Sequence, residues 1–342
     1  MQFSHKQKKL LHILSDGLFH SGSDLAEQLE ISRSAVWKQI NTLESFGIQI
    51  VAVSGKGYRL AHAIELLDKS KLLSSLSSAC SSLITELVLH DQIDSTNGYL
   101  TALTYAHPEK TGVVCLAEQQ TAGRGRRGRQ WVSPFGCNIY CSLLWRFSEG
   151  PASLSGLSLA IGVAVIEALK LHGIQEVGLK WPNDIYWRQK KLGGILVEVS
   201  GETDGPCSAV IGLGLNLFVD TEAATAIEQD WVDIEQIQKY YHQQQSGTAK
   251  AQPTLSRQQL LATLLEKLIA VSHHYTQQSF AQYCDAWRQY DCMQGSQVSL
   301  FMGNNQIEGT VVGINDEGLL LLQTETGKVQ SFASGEVSFR CS

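Results

Sequence analysis

The sequence predicts a multidomain α+β protein with an N-terminal winged helix-turn-helix, a mixed α/β centre and a small C-terminal β-barrel. Helical patterns and then a hairpin pattern fill residues 1–60. Strands alternate with apolar helices in the middle, and short strands separated by turn residues begin near residue 297. A chain of 342 residues is long enough for two or three domains.

The composition is that of an ordinary soluble protein, with 43% hydrophobic and 18% charged residues. The net charge of −6 argues against binding of nucleic acid over the whole surface. Residues 1–60 nevertheless carry seven basic against five acidic side chains, whereas the remainder carries 20 against 28. This asymmetry favours the N-terminal part as the place where nucleic acid would bind.

The eight cysteines include no Cys-x-x-Cys pair, and Cys137 and Cys141 have no histidine partners nearby in the sequence. We therefore expect reduced thiols in a cytoplasmic protein, and no zinc site. The N-terminus has no apolar signal core. The longest apolar region, 154–169, contains Glu167 and is too short to cross a bilayer, so we expect a buried helix and no membrane partner.

The first 60 residues predict three short helices and a hairpin. The first helix ends at Asp16-Gly17, the second begins at Ser21, and the third follows Ser32, a favourable N-cap. Residues 48–53 and 58–60 then predict two strands around a turn at 54–57. Two tightly connected helices followed by a hairpin are typical of a winged helix-turn-helix.

The third helix and the hairpin expose side chains that can donate to phosphates or bases. These residues are Ser32, Arg33, Ser34, Trp37, Lys38, Lys56 and Arg59. We therefore expect DNA binding, with a three-helix protein-interaction module as the alternative. Because only two or three cations face the DNA groove, a monomer should bind weakly, and a dimer on a two-part site is expected. Trp37 is bulkier than the small polar residue expected there, which leaves the DNA sequence open.

A loop rich in arginine and glycine, residues 120–129, is the most informative segment of the central region. It contains four arginines and three glycines: Arg124, Arg126, Arg127 and Arg129, with Gly123, Gly125 and Gly128. Arginine forks and exposed backbone N–H groups bind phosphate, so we expect a phosphate-bearing ligand. The glycines satisfy a dinucleotide-binding pattern, but a strand rather than a helix is predicted after them, which argues against that fold. A solvated basic loop is the alternative.

Further polar residues stand at the ends of predicted strands and helices. Ser95, Thr96 and Asn97 open a helix, where they would cap it or hold a polar ligand group; the cap is favoured. Asp184 follows the strand break at Trp181-Pro182 and would hold Mg²⁺ or form a turn.

Two other candidates lie on glycine-containing strands. Lys191 precedes Gly193 and Gly194, so its ammonium could reach a ligand packed against them; a solvated turn lysine is the alternative. Asn216 ends a strand, 209–216, in which glycines avoid crowding a ligand, and its amide is suited to reading a base edge.

The C-terminal part predicts two helices and then a small barrel. The helices cover 256–275 and about 279–290, and strands are expected at 298–301, 306–312, 318–323 and 329–332. Turn residues separate the strands, as in an SH3-like barrel.

Four ordered segments, 120–126, 180–184, 191–196 and 212–216, together resemble the biotin–protein ligases, and the N-terminal module resembles that of their bifunctional ligase/repressor members. The resemblance covers nearly the whole chain. It implies a class II aminoacyl-tRNA-synthetase-like ligase core and an SH3-like barrel. The expected divisions are a winged helix-turn-helix at 1–64, a linker at 65–82, a catalytic domain at 83–290 and the barrel at 291–342.

The resemblance also implies an activity. Such enzymes use ATP to convert biotin to biotinyl-5′-AMP and transfer biotin to a lysine of biotin carboxyl carrier protein. The bifunctional members also repress the biotin operon, as homodimers that form on adenylate binding and bind operator DNA. A lipoate–protein ligase, or a ligand-sensing repressor with an inactive ligase core, is the alternative.

The roles implied for individual residues fall into three groups. The catalytic group is Lys191, Arg126, Arg124 and Asp184, with Asp184 also placing Mg²⁺. The biotin contacts are Ser95, Thr96, Asn97, Gln120, Arg124, Gly125, Arg126 and Lys191. The nucleotide contacts are Gly123, Lys180, Asn183, Asn216 and Trp231, whose indole would stack on adenine.

Overall fold

The computed structural model describes residues 2–244, 255–303 and 305–339. Within these ranges the N-terminal module contains the three predicted helices and the hairpin. They are α1 (His5–Leu14), α2 (Gly22–Gln28), α3 (Arg33–Glu44), β1 (Ile50–Val53) and β2 (Gly57–Leu60). Ser32 caps α3, as predicted, by accepting a hydrogen bond from the backbone N–H of Ala35. The two strands pair antiparallel and form the wing.

The segment 65–82, expected to be a linker, contains two helices that belong to the central core. They are α4 (Lys69–Ser75) and α5 (Ser78–Leu83). Leu72, Leu76 and Cys80 are buried in the hydrophobic core of the central part. The expectation failed because serine-rich segments are typical of linkers, whereas Ser77 here serves as the N-cap of α5. The domain boundaries themselves stay a prediction.

A seven-stranded sheet forms the centre of the molecule. Its strands and the helices between them are β3 (Glu86–His90), α6 (Thr96–Ala106), β4 (Val113–Ala117), β5 (Ile139–Phe147), α7 (Leu157–Leu171), β6 (Val177–Lys180), β7 (Asp184–Trp187), β8 (Lys190–Gly201) and β9 (Cys207–Leu215). The strand order is β3-β4-β5-β9-β8-β7-β6, and only the β3–β4 pair is parallel. The ends of β7 and β9 and the start of β8 therefore meet at one region of the sheet.

Helices cover the sheet and connect it to the last domain. The helices that follow β9 are α8 (Thr221–Ala224), α9 (Ile234–Gln244), α10 (Arg257–Gln278) and α11 (Ala281–Tyr290). The stretch Pro151–Leu171, which includes α7, is long and apolar enough to cross a membrane, but 67% of its most apolar window is buried inside the protein. This burial agrees with the predicted core helix.

The C-terminal domain is an antiparallel sheet of five strands, which agrees with the predicted small barrel. Its strands are β10 (Gln297–Met302), β11 (Asn305–Ile314), β12 (Leu320–Gln323), β13 (Val329–Phe332) and β14 (Glu336–Phe339). Their order is β13-β12-β11-β10-β14. Four strands were predicted, and β14 was missed. This strand carries Glu336, which contacts the arginine-rich loop.

Candidate active site

A cavity of about 970 Å³ lies between the central sheet, the arginine-rich loop and β14. Nearly all the side chains that sequence analysis assigned to ligand binding line it. They are Ser95, Thr96, Asn97, Gln120, Arg124, Gly125, Arg126, Lys180, Asn183, Asp184, Lys191, Asn216 and Trp231. Segments that are far apart in the sequence, from Ser95 to Trp231, thus form one site.

Gly123, predicted to contact the nucleotide, is the one predicted position that does not line this cavity. Its role is to close the base of the loop. The backbone N–H of Trp131 donates to the carbonyl of Gly123 at 2.8 Å. A Cβ at position 123 would lie 2.4 Å from the Trp131 carbonyl oxygen, so only glycine fits this approach.

The arginines of the loop are held at three places by partners far away in the sequence. Arg126 donates to the side-chain oxygen of Asn183 at 3.0 Å. Arg124 pairs with Glu198 at 2.9 Å. Arg127 and Arg129 both pair with Glu336 of the C-terminal domain.

Burial lowers the pKa of Arg126 below its usual range, and neighbouring Arg127 lowers it further, whereas Asp184 opposes the shift. An arginine remains charged under these conditions because its usual pKa is so high. The cavity therefore contains a partly desolvated guanidinium, which attracts an anion more strongly than a solvated one.

Lys191 and Asp184 form an ion pair in the wall of the cavity. The Lys191 Nζ lies 2.9 Å from Asp184 Oδ1, and both side chains are largely buried. Adjacent strands β7 and β8 bring them together, because Asp184 pairs in register with Gly194. Lys191 therefore projects into the site and is not a solvated turn lysine.

Lys180 lines the cavity but is already bound to an aromatic neighbour. Its Nζ donates to the Tyr186 hydroxyl at 3.1 Å and lies over the Tyr186 ring. Burial lowers the pKa of Lys180, and the carboxylate of Asp184 acts in the opposite direction.

A network of hydroxyl and amide groups forms the opposite wall. Gln120 Oε1 accepts hydrogen bonds from the backbone N–H and the hydroxyl of Thr96, at 2.9 and 3.1 Å. Ser142 Oγ lies 2.7 Å from Thr96 Oγ1. Ser95 caps α6 by accepting from the backbone N–H of Gly98, so its predicted capping role is present along with its place in the wall.

Asn97 is part of the same wall, but its amide is taken up by protein partners. Its Nδ2 donates to Glu198 Oε2 at 2.9 Å and to the carbonyl of Leu196 at 3.3 Å. Its Oδ1 lies 2.6 Å from Ser142 Oγ. The side chain is 4% exposed. The geometry therefore favours a supporting role for Asn97 over direct ligand contact.

The glycines expected to leave room for a ligand leave room mainly for protein side chains. A Cβ at Gly212 would lie 2.0 Å from Asn97 Oδ1, and one at Gly214 would lie 2.6 Å from the Trp131 ring. Gly194 also faces Trp131, at 3.5 Å. The space beside Gly194 and Gly214 is filled because Trp131 lies over the sheet. The periodicity of the sequence does not predict this position of Trp131. The indole itself lines the cavity.

Trp231 and Asn216 lie beside Lys191 through main-chain pairing. Trp231 forms an isolated parallel bridge with Lys191, and the N–H of Val232 donates to the Lys191 carbonyl at 3.0 Å. Asn216 Nδ2 donates to the carbonyl of Val232 at 3.3 Å. Two of the five predicted nucleotide contacts, Asn216 and Trp231, therefore lie next to the lysine.

Sequence analysis missed Trp131, Ser142, Glu198 and Glu336, all of which shape the site. Ser142 and Glu198 are polar residues within otherwise apolar strands, and this is a signal that could have found them. Trp131 directly follows the arginine-rich loop. Nothing local distinguishes Glu336 from other acidic surface residues.

Among the described residues, no group of three or more histidine, cysteine or acidic side chains could hold a metal ion by itself. Asp184 supplies one carboxylate next to the cationic wall. Mg²⁺ is commonly held by one or two carboxylates together with substrate phosphates, so the donor set fits Mg²⁺ bound mainly by a nucleotide.

Most of the predicted DNA-binding residues lie exposed on α3 and the wing. Ser32, Arg33, Ser34, Lys38 and Lys56 are exposed, and Trp37 is 55% exposed.

Arg59 is half-buried and differs from the others. It donates to the carbonyls of Leu60 and Ala61 and lies over the ring of Phe19. Arg59 is thus engaged in supporting the wing.

Known proteins are similar to this chain along most of its length. Three family models match the chain: an HTH domain at residues 6–59, the biotin/lipoate A/B protein ligase family at 89–216, and the biotin protein ligase C-terminal domain at 295–340. A curated protein of Salmonella typhimurium, named bifunctional ligase/repressor BirA, is 39% identical over 97% of this chain and 96% of its own length. The protein of that name from Escherichia coli is 38% identical with the same coverage.

The chain belongs to the bifunctional biotin ligase/repressor family. A solved biotin protein ligase from Aquifex aeolicus, in complex with biotin and ATP, is 27% identical and superimposes with a TM-score of 0.59. It covers 76% of this chain and the whole of its own. The three matched segments lie inside the predicted DNA-binding, catalytic and barrel domains.

We predict that Gly212→Ala destabilises the protein by about 1–3 kcal/mol, because the added methyl group would overlap Asn97 in a packed wall. Equilibrium urea unfolding measures the effect. Gly22→Ala is the control, since its Cβ would meet only ordinary contacts at 3.6 Å and beyond. Equal stability of the two variants would show that the wall is not closely packed around Asn97.

Proposed function

We propose that the cavity activates biotin with ATP to form biotinyl-5′-AMP and then transfers biotin to a lysine of biotin carboxyl carrier protein. The N-terminal module makes the same protein a repressor of the biotin operon. Family membership supports both activities. The observation that best supports the residue roles is the meeting of Arg124, Arg126 and Lys191 at one cavity.

The first step brings two anions together. An oxygen of the biotin carboxylate attacks the α-phosphorus of ATP, a new P–O bond forms, and the bond to the pyrophosphate leaving group breaks. Negative charge develops on the phosphoryl oxygens. Arg126 and Lys191 are fixed in the wall by Asn183 and Asp184, so their charges are already in position when the reaction begins. Arg124 adds a third cation at the entrance of the loop.

The remaining wall residues divide into two groups. Ser95, Thr96 and Gln120 form the hydroxyl and amide surface that would hold the polar ring of biotin, with Gly125 in the loop opposite. Asn183, Asn216, Lys180 and Trp231 line the same cavity, and we propose that they contact the nucleotide. Asp184 would hold Mg²⁺, which when bound neutralises phosphate charge.

The second step needs no nucleophile from this protein. Biotinyl-5′-AMP is a mixed anhydride, so the amine of the carrier lysine attacks its carbonyl carbon directly, and AMP leaves. The site accordingly needs to orient the adenylate and exclude water rather than form a covalent intermediate. The arginine-rich loop and the C-terminal domain together cover the cavity, since Arg127 and Arg129 form ion pairs with Glu336.

The two alternative functions are less well supported. A lipoate ligase would share the fold, but two curated relatives that match 72% and 79% of this chain are named biotin–[acetyl-CoA-carboxylase] ligase. A repressor with an inactive ligase core would have no need to keep Lys191, Asp184 and Arg126 in one cavity, as this structure does.

For repression, we propose that α3 enters the major groove and that the wing contacts the backbone of operator DNA. The exposed cations of one copy are few, so a homodimer formed on adenylate binding would supply the affinity. A cytoplasmic location fits these substrates, and the seven described cysteines are unpaired, as in a reducing compartment.

We predict that Lys191→Ala slows adenylate formation by on the order of 10², the usual cost of losing one preorganised charge-stabilising group. Pyrophosphate release with biotin and ATP measures this. Lys190→Ala is the matched control, because Lys190 is the exposed neighbour on the same strand and does not line the cavity. Near-normal pyrophosphate release by the Lys191 variant would contradict its assigned role.

We predict that Lys56→Ala weakens operator binding and lowers the slope of log affinity against log salt by about 1, as expected for one lost phosphate contact. Gel shifts over a salt series, with biotinyl-5′-AMP present, measure the slope. Lys69→Ala, an exposed change on α4, should leave it unaltered. The same series without adenylate should show weaker binding. A slope unchanged by the Lys56 substitution would remove the wing from the interface.

A further inference from the structure

We propose that Glu198 is a positioning residue for biotin, and that it acts through Arg124 and Asn97. This inference rests on the proposed ligase function. Glu198 lies on β8, in register with Val210 of β9, so the pairing with β9 fixes its backbone. Its side chain does not line the cavity. It therefore affects a ligand only through the groups that it holds.

The two carboxylate oxygens of Glu198 have different partners. Oε1 pairs with Arg124 Nη2 at 2.9 Å, and Oε2 accepts from Asn97 Nδ2 at 2.9 Å. Arg124 belongs to the arginine-rich loop, and Asn97 belongs to the first turn of α6. A single carboxylate thus joins the wall that would hold the biotin ring to the arginine that would hold the biotin carboxylate.

The contact between Glu198 and Asn97 continues as a chain of hydrogen bonds around the cavity. Asn97 meets Ser142, and Ser142 meets Thr96. Thr96 donates to Gln120, whose amide donates to Ser133 Oγ at 3.1 Å.

Ser133 in turn donates to the carbonyl of Trp131 at 2.9 Å. The chain of hydrogen bonds therefore begins at Arg124, within the arginine-rich loop, and ends at Trp131, two residues after that loop.

Because Glu198 connects Arg124 to this chain of hydrogen bonds, its carboxylate can orient residues that line the cavity. Arg124 is 46% exposed at its side chain, so little besides Glu198 restricts its guanidinium. A carboxylate that accepts from a charged donor forms a stronger hydrogen bond than a neutral amide does. Removing the charge of Glu198 should release Arg124 and leave the Asn97 amide less firmly held, both on the biotin side of the cavity.

The test is biotin binding and turnover by Glu198→Gln, which keeps the size of the side chain and removes its charge. Calorimetry without ATP should show biotin affinity weakened about tenfold or more, as for the loss of one charge-assisted hydrogen bond. The KM for ATP should change by less than about threefold, because the partners of Glu198, Arg124 and Asn97, are not among the predicted nucleotide contacts. Glu176→Gln, which breaks the exposed Arg188–Glu176 pair away from the cavity, is the matched control and should bind biotin normally.

A double-mutant cycle with Arg124→Ala keeps the test independent of small losses in stability. If Glu198 acts through Arg124, the two substitutions together should weaken biotin binding by less than the product of their separate effects.

Unchanged biotin affinity in Glu198→Gln, or a parallel loss of biotin affinity, ATP affinity and melting temperature, would overturn the proposal. Independent effects in the cycle would do the same. Failure of the wild-type protein to bind biotin would instead contradict the ligase function itself, and this inference with it.

Discussion

The ion pair between Glu118 and Arg257 holds together the parts of the chain on which the active site is built. Arg257 Nη1 lies 2.5 Å from Glu118 Oε2, and the side chains are 5% and 4% exposed. Burying two charges is costly, and here hydrogen bonds offset the cost: Arg257 also donates to the carbonyls of Asn138 and Glu65, and Glu118 accepts from the N–H of Leu67. The pair thereby joins the segment after the DNA-binding module, the N-terminus of α10 and the strand end from which the arginine-rich loop emerges.

The active site depends on cationic side chains that are held in fixed positions around the cavity. Gln120 follows Glu118 by two residues, and the loop then crosses the sheet, where Arg126 reaches Asn183. The strand pair β7–β8 supplies Lys191 and Asp184 at the same place. The reaction needs no protein nucleophile. The fold accordingly provides cations, amides and hydroxyls that are held by other residues of the protein. The same base of the loop contacts the DNA-binding module, because Phe135 packs against Phe3 in the core of that module. A physical path therefore exists between the ligase site and the N-terminal domain.

Much of this could be predicted from the sequence because it depends on local pattern. The N-cap at Ser32, the strand interruption before Asp184 and the arginine-rich loop each have short-range signals, and the order of four segments indicated the family. What could not be predicted depends on long-range pairing. Glu198 meets Asn97 from 101 residues away, and Glu336 reaches the arginine-rich loop from the C-terminal domain. The serine-rich segment before β3 was wrongly predicted to be a linker because its local composition is typical of one. The burial of Leu72 in the tertiary structure makes this segment part of the core.

The central claim is that this cavity makes an adenylate from biotin in particular. Its most direct test is to incubate the purified protein with ATP and Mg²⁺ and either biotin or lipoate, and to identify the acyl-adenylate by mass spectrometry while measuring pyrophosphate. The account predicts biotinyl-5′-AMP and an equal amount of pyrophosphate with biotin, and neither product with lipoate. An adenylate from lipoate but not from biotin, or no adenylate from either acid, would contradict it.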